Sequence, residues 1–155
     1  MKSTQLIFSF ILVAVAALSV PATALAEDKA AISAMEAYFD FSEYESGTIL
    51  PEQIPAEDWK KIHVIDARDA EQFRKAHIPG AVNIEWRKVL GQRSTLPQDK
   101  MVLLYCNSGT LSSQAAMALH VAGMENVRIL QGGFSEWKAK GGFEANRIAT
   151  KKSAK

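Results

Sequence analysis

Four short apolar runs, separated by helix signals and small-residue turns, constrain this chain more than any other feature. They are Ile62–Asp66, Ala81–Ile84, Met101–Tyr105 and Val127–Leu130. Each is apolar nearly throughout, without the apolar-polar alternation of a strand that has one wet face. Strands of this kind are buried on both faces, as in a parallel sheet covered by helices. Gly47–Leu50 resembles a further short strand. The intervening segments read as helices. Pro51 opens one through about Lys60, with Ile54 and Trp59 facing a core. Asp69 caps another through Lys75, because its carboxylate accepts the first free amides. Trp86–Leu90 is short and helical, and a helix from about Ser112 ends at Gly123, a position suited to a left-handed cap. Gly132-Gly133 turns into a short helix carrying Phe134 and Trp137. The alternation predicts an α/β fold, in which ligands bind beyond the carboxyl ends of the strands.

The first residues read as an address. Lys2 is the only charge before Glu27, Leu6 to Val20 is apolar, Pro21 breaks the run, and Ala24-Leu25-Ala26 fits a small-x-small cleavage site. The pattern predicts a cleavable export signal over 1–26; the alternative is an uncleaved N-terminal anchor. No cysteine stands near the site for lipoprotein processing. Residues 27–155 suit one domain with one core. They divide into a helical extension over 27–46, a domain over 47–142 and a basic, frayed tail over 143–155. Residues 27–60 hold nine acids and two bases, against eight acids and fifteen bases over 61–155. This reads as an acidic solvated helix face or a polar partner surface. No basic run interleaves with aromatics, which argues against nucleic-acid binding.

Cys106 is the only cysteine, so no internal disulfide is available. In an exported chain such a thiol is either deeply buried or used as a reagent. A strand stops at it, a turn of small residues follows, and an Ala-rich helix begins. That grammar aims the amides of the turn and of the helix start at the sulfur and favours the thiolate. Gly109 allows a positive-φ backbone, and Ser112 or Ser113 can cap the helix and reach the sulfur. An ordinary cysteine has a pKa of about 8.5, and bringing it to about 6.5 takes about 2.7 kcal/mol of preferential thiolate stabilisation.

Several segments together resemble the rhodanese-like, or sulfurtransferase, family. They are Ile65-Asp66-Ala67-Arg68, His77-Ile78-Pro79-Gly80-Ala81-Val82-Asn83-Ile84, Tyr105-Cys106-x-x-Gly109-x-x-Ser112, and Gln131-Gly132-Gly133-Phe134-x-x-Trp137. They stand in the family's order, and the similarity covers roughly Gly47 to Gly142. The resemblance implies a five-stranded parallel sheet flanked by helices on both faces. It implies a catalytic Cys106 carrying sulfane sulfur as a persulfide, and no metal or cofactor. A single such domain with an export signal resembles the small periplasmic members. The loop residues Asn107, Ser108, Gly109, Thr110, Leu111 and Ser112 would bind substrate, with Ser108 and Gly109 leaving room for the extra sulfur. Many members carry a loop cation; here Asn107 and Leu111 stand at those positions, so the loop offers thiosulfate, a dianion, only amides, an asparagine and hydroxyls. Arg68 either supplies the missing charge or pairs with a carboxylate such as Asp66.

The expected reaction moves sulfur from thiosulfate or an organic donor to a thiol, cyanide or a protein acceptor. A rival reading is a low-turnover carrier or protein-binding module. A cysteine phosphatase needs Cys-x5-Arg for bidentate phosphoryl binding, and Ser112 stands at that position. Dithiol chemistry lacks a resolving cysteine. Asn107 either binds a substrate oxygen or holds the loop's shape. His77 reads as a structural hydrogen-bonding residue, Arg87 and Arg93 as solvated, and Trp59, Trp86 and Trp137 as core aromatics. His63 and His120 have no partner at metal-ligand spacing.

Overall fold

The computed structural model of the chain describes residues 22–42 and 47–144, with side chains from residue 29 onward. The apolar run over 6–20 and the tail from 145 lie outside the described residues. Five strands, β1 (Thr48–Ile49), β2 (His63–Asp66), β3 (Val82–Asn83), β4 (Val102–Tyr105) and β5 (Val127–Leu130), form one parallel sheet in the order β1-β5-β4-β2-β3. The helices are α1 (Ala22–Phe41), α2 (Ala70–Lys75), α3 (Trp86–Val89), α4 (Thr110–Val121) and α5 (Gly133–Ala139).

The central runs, β2 and β4, are buried on both faces as their composition requires, whereas the edge strand β3 leaves Val82 exposed. β4 lies at the centre of the sheet, and all four of its residues are buried. Because side chains alternate along a strand, Leu103 and Tyr105 join a cluster with Val64, Leu130, Phe134 and Trp137. Val102 and Leu104 join another with Ile65, Ala115, Ala116 and Leu119. Each buried aliphatic side chain of this size contributes about 1.5–3 kcal/mol. The two layers therefore clamp β4 and fix where its last residue, and Cys106 after it, emerges.

Three expectations need correction. Residues 51–60 form two 3-10 turns, Pro51–Gln53 and Asp58–Lys60, instead of one helix. Pro55 lacks the N–H that an α-helix would need at mid-segment, although Ile54 and Trp59 are buried as expected. The N-terminal helix runs Ala22–Phe41 and leaves Ile32, Met35, Phe39 and Phe41 exposed. It touches the domain through α4, where Tyr38 stacks on His120 at 5.8 Å between ring centroids. Packing also extends past Gly142. Phe143 meets Trp59 and Trp137 edge-on, with ring centroids 5.2 and 5.3 Å away, so the aromatic cluster closes one residue into the expected tail.

Candidate active site

Cys106 follows the last residue of β4 and is only 2 % exposed. Its surroundings are built from the backbone. Phe134 N–H donates to the Cys106 carbonyl at 2.8 Å, and Ser135 N–H donates to the Asn107 carbonyl at 3.1 Å. A trans peptide unit carries its C=O and N–H on opposite edges. Holding the Asn107 carbonyl out toward α5 therefore turns the Ser108 N–H back toward the sulfur. Gly109, at φ +105°, places its own N–H 3.2 Å from Sγ.

Gly109 is the N-cap of α4, and no side chain caps that helix. The expected serine caps are therefore corrected. The Ser112 hydroxyl lies 2.9 Å from the Gly109 carbonyl oxygen and 3.7 Å from Sγ, and Ser113 turns back on the Thr110 carbonyl. The helix starts two residues earlier than expected because the sulfur itself takes the cap's place, receiving amides that would otherwise lack a partner. Burial pushes the Cys106 thiol up. The amide and hydroxyl of Ser112 and the amides of Ser108 and Gly109 together outweigh it, and the pKa lies below its ordinary value.

Arg68 is directed elsewhere. It is buried and bound to Asp66, with Nε to Oδ1 at 2.9 Å and Nη2 to Oδ2 at 2.5 Å. Nη2 also donates to the Ala76 carbonyl at 2.7 Å, and the guanidinium lies over the Phe134 ring at 4.3 Å. Tyr105 donates its hydroxyl to Asp66 Oδ2, the oxygen that also accepts Arg68 Nη2, at 2.7 Å and accepts from Ile78 N–H. Burial first, and then the bond to Asp66, push the Tyr105 hydroxyl pKa well up, so it stays a neutral donor. Only Nη1 of Arg68 approaches the loop, 3.4 Å from Asn107 Oδ1. Of the two roles read for Arg68, the structure shows the ion pair with Asp66.

Ser108, Thr110 and Leu111 form an exposed rim without charge, and Ser112 is buried beneath it. Asn107 is exposed, yet its amide is held at both ends, by Arg68 and by Gln72 Oε1 at 2.7 Å. His77 bonds the Phe73 carbonyl at 2.8 Å and stacks on that ring, the structural role expected. Arg87 pairs with Glu85 on the surface, and Arg93 is exposed. Among the described residues no group of three His, Cys, Asp or Glu could hold a metal ion, and no helix is long and apolar enough to cross a membrane.

Gly133, read from the sequence as a turn and as part of the closing motif, also supports the cysteine loop. A Cβ there would lie 2.5 Å from the Cys106 carbonyl oxygen and 2.8 Å from Asn107 C and O. Glycine lets α5 bring its first amides onto the loop. A second glycine beside Gly132, ahead of an aromatic helix, was the available signal.

Comparison with known proteins agrees with this geometry. The model of a family described as "Rhodanese-like domain" matches residues 50–140. The Bacillus subtilis protein YqhL is 34 % identical over 82 residues, which are 53 % of this chain and 65 % of YqhL. The 3-mercaptopyruvate sulfurtransferase of Escherichia coli K12 is 29 % identical over 102 residues, covering 50 % of this chain and 36 % of that protein. The chain thus spans less than two thirds of either relative. The crystal structure of the BH2092 protein from Bacillus halodurans superposes with a TM-score of 0.57 at 29 % identity, over 69 % of this chain and 82 % of that one.

Proposed function

Because the chain belongs to the rhodanese-like domain family, we propose that it is a sulfurtransferase that carries sulfane sulfur as a persulfide on Cys106. The observation that supports this most is the set of Ser108, Gly109 and Ser112 donors converging on one sulfur and lowering its pKa despite burial.

The Cys106 thiolate attacks the outer sulfur of the donor. A new S–S bond forms, and the donor's bond to that sulfur breaks with its electron pair. Thiosulfate leaves as sulfite, and an organic persulfide leaves as a thiolate. An acceptor thiolate or cyanide then attacks the outer sulfur of Cys106–S–S⁻ and restores the Cys106 thiolate. The products are a new persulfide or thiocyanate, and no external oxidant or reductant is consumed. The loop amides meet negative charge at every stage, so they serve thiolate and persulfide alike. With Arg68 neutralised by Asp66 and the rim uncharged, nothing in the loop compensates a dianion, which favours an organic donor over thiosulfate. The composition of residues 1–26 supports action in the periplasm.

Incubating the chain with each donor and recording intact mass tests the proposal. Gain of one sulfur atom by the wild type and none by Cys106→Ser is expected. An adduct that survives in Cys106→Ser, or none with any donor, overturns it. The deep burial of Cys106 favours a second reading, a carrier that loads slowly and unloads to one protein acceptor. Negligible turnover to cyanide with stable loading would select it.

A further inference from the structure

We propose that Gln72 is a positioning residue for the cysteine loop, holding Asn107 in the orientation that keeps Cys106 anionic; the inference rests on the thiolate reading above. Gln72 lies in the first turn of α2 and is distant in sequence from the loop. Its side chain joins two otherwise separate devices. On one side Nε2 donates to Asp69 Oδ2, whose partner oxygen accepts the Gln72 backbone N–H at 2.8 Å as the cap of α2. On the other side Oε1 accepts from Asn107 Nδ2 at 2.7 Å. The Asn107 oxygen in turn faces Arg68 Nη1 at 3.4 Å.

The direction of this chain is forced by its ends. A carboxylate only accepts and a guanidinium only donates, whereas each amide has one end of either kind. Asp69 therefore takes the Gln72 amide nitrogen and turns the Gln72 oxygen toward the loop. Asn107 must answer with its nitrogen, which leaves its oxygen for Arg68. Neither amide can flip without setting like ends against each other. Arg68 is itself fixed by Asp66. The Asn107 backbone carbonyl is meanwhile held by Ser135 N–H. Asn107 is thus pinned from α2, from the end of β2 and from α5. The next two amides along the chain, Ser108 and Gly109, are those that face the sulfur. Because Asn107 is exposed, breaking its bond to Gln72 lets water solvate both groups, and the fold loses little. What is lost is the orientation of the loop.

The test is the pH dependence of Cys106 alkylation in the full chain, together with thermal unfolding, for wild type, Gln72→Leu, Asn107→Ala and the double variant. The expected result is an upward shift of the alkylation midpoint in Gln72→Leu of about half a pH unit, an approximately threefold loss of thiolate preference, with little change in Tm. The double variant should match Asn107→Ala alone, because Gln72 acts through Asn107. A lowered wild-type midpoint that Gln72→Leu leaves unmoved overturns this inference and spares the thiolate reading. Strictly additive shifts in the double variant overturn it as well. An ordinary midpoint in the wild type overturns both.

Discussion

Replacing Gly133 by alanine should damage the cysteine loop from a residue that belongs to a different helix. The cost has two parts. Gly133 lies at φ +59°, in the left-handed region, where a Cβ costs about 1–2 kcal/mol. The added methyl would also lie 2.5 Å from the Cys106 carbonyl oxygen, where real contacts begin near 3.0 Å, so something must yield by about half an ångström. Overpacking of this kind costs about 1–3 kcal/mol. The expected loss is therefore about 2–5 kcal/mol. Gly80→Ala is the control. Gly80 has φ +89° with nothing within 4 Å of its would-be Cβ, so only the conformational part applies. The atom that must move in Gly133→Ala is the carbonyl accepting Phe134 N–H at 2.8 Å. Releasing it frees the loop amides, and the Cys106 alkylation midpoint should rise along with the loss of stability. Urea unfolding and pH-dependent alkylation of both variants measure the two effects. Equal destabilisation of the two variants, with an unmoved midpoint in Gly133→Ala, would refute the claim that α5 sets the loop.

Two further outcomes follow from the same contacts. Arg68→Lys keeps the charge but loses the paired contact with Asp66 and the stacking on Phe134, so it should destabilise the fold by a few kcal/mol, and Arg68→Ala by about 3–5 kcal/mol because Asp66 is left buried without its counter-charge; thermal unfolding reads both, and tolerance of Arg68→Ala would show that the pair is not structural. The lowered Cys106 pKa also makes stability depend on pH. The fold binds the thiolate preferentially, so its contribution is complete above the unfolded value of about 8.5 and is lost as pH falls through the lower folded value. The stability of wild type relative to Cys106→Ser should therefore rise with pH across that window, and a difference independent of pH would contradict the assignment.

Local chemistry made some elements legible and long-range packing hid others. The β4 run and the Cys106 turn could be read because strand, glycine and helix lie within one continuous stretch. Asp69 could be read as a cap because its partner, the Gln72 amide, is three residues away. The segment from Pro51 misled because an initiating proline outweighed Pro55 further on. Arg68 was ambiguous because sequence gives its neighbour Asp66 but not the distance to the sulfur. Gly133 and Gln72 were missed as loop supports because their partners, Cys106 and Asn107, come from other elements and meet them only once the sheet has formed. The extension could be read as a helix, but not that α1 would turn Ile32 and Phe39 outward, since local sequence does not state which surface a helix covers.

In the proposed mechanism, main-chain amides keep Cys106 anionic without a cation in the loop. Because Cys106 is the only cysteine in the chain, thiolate absorbance recorded as a function of pH reports it alone, with Cys106→Ser as the blank. A titration midpoint clearly below the ordinary value of about 8.5 is expected, and a midpoint at or above that value would contradict the claim.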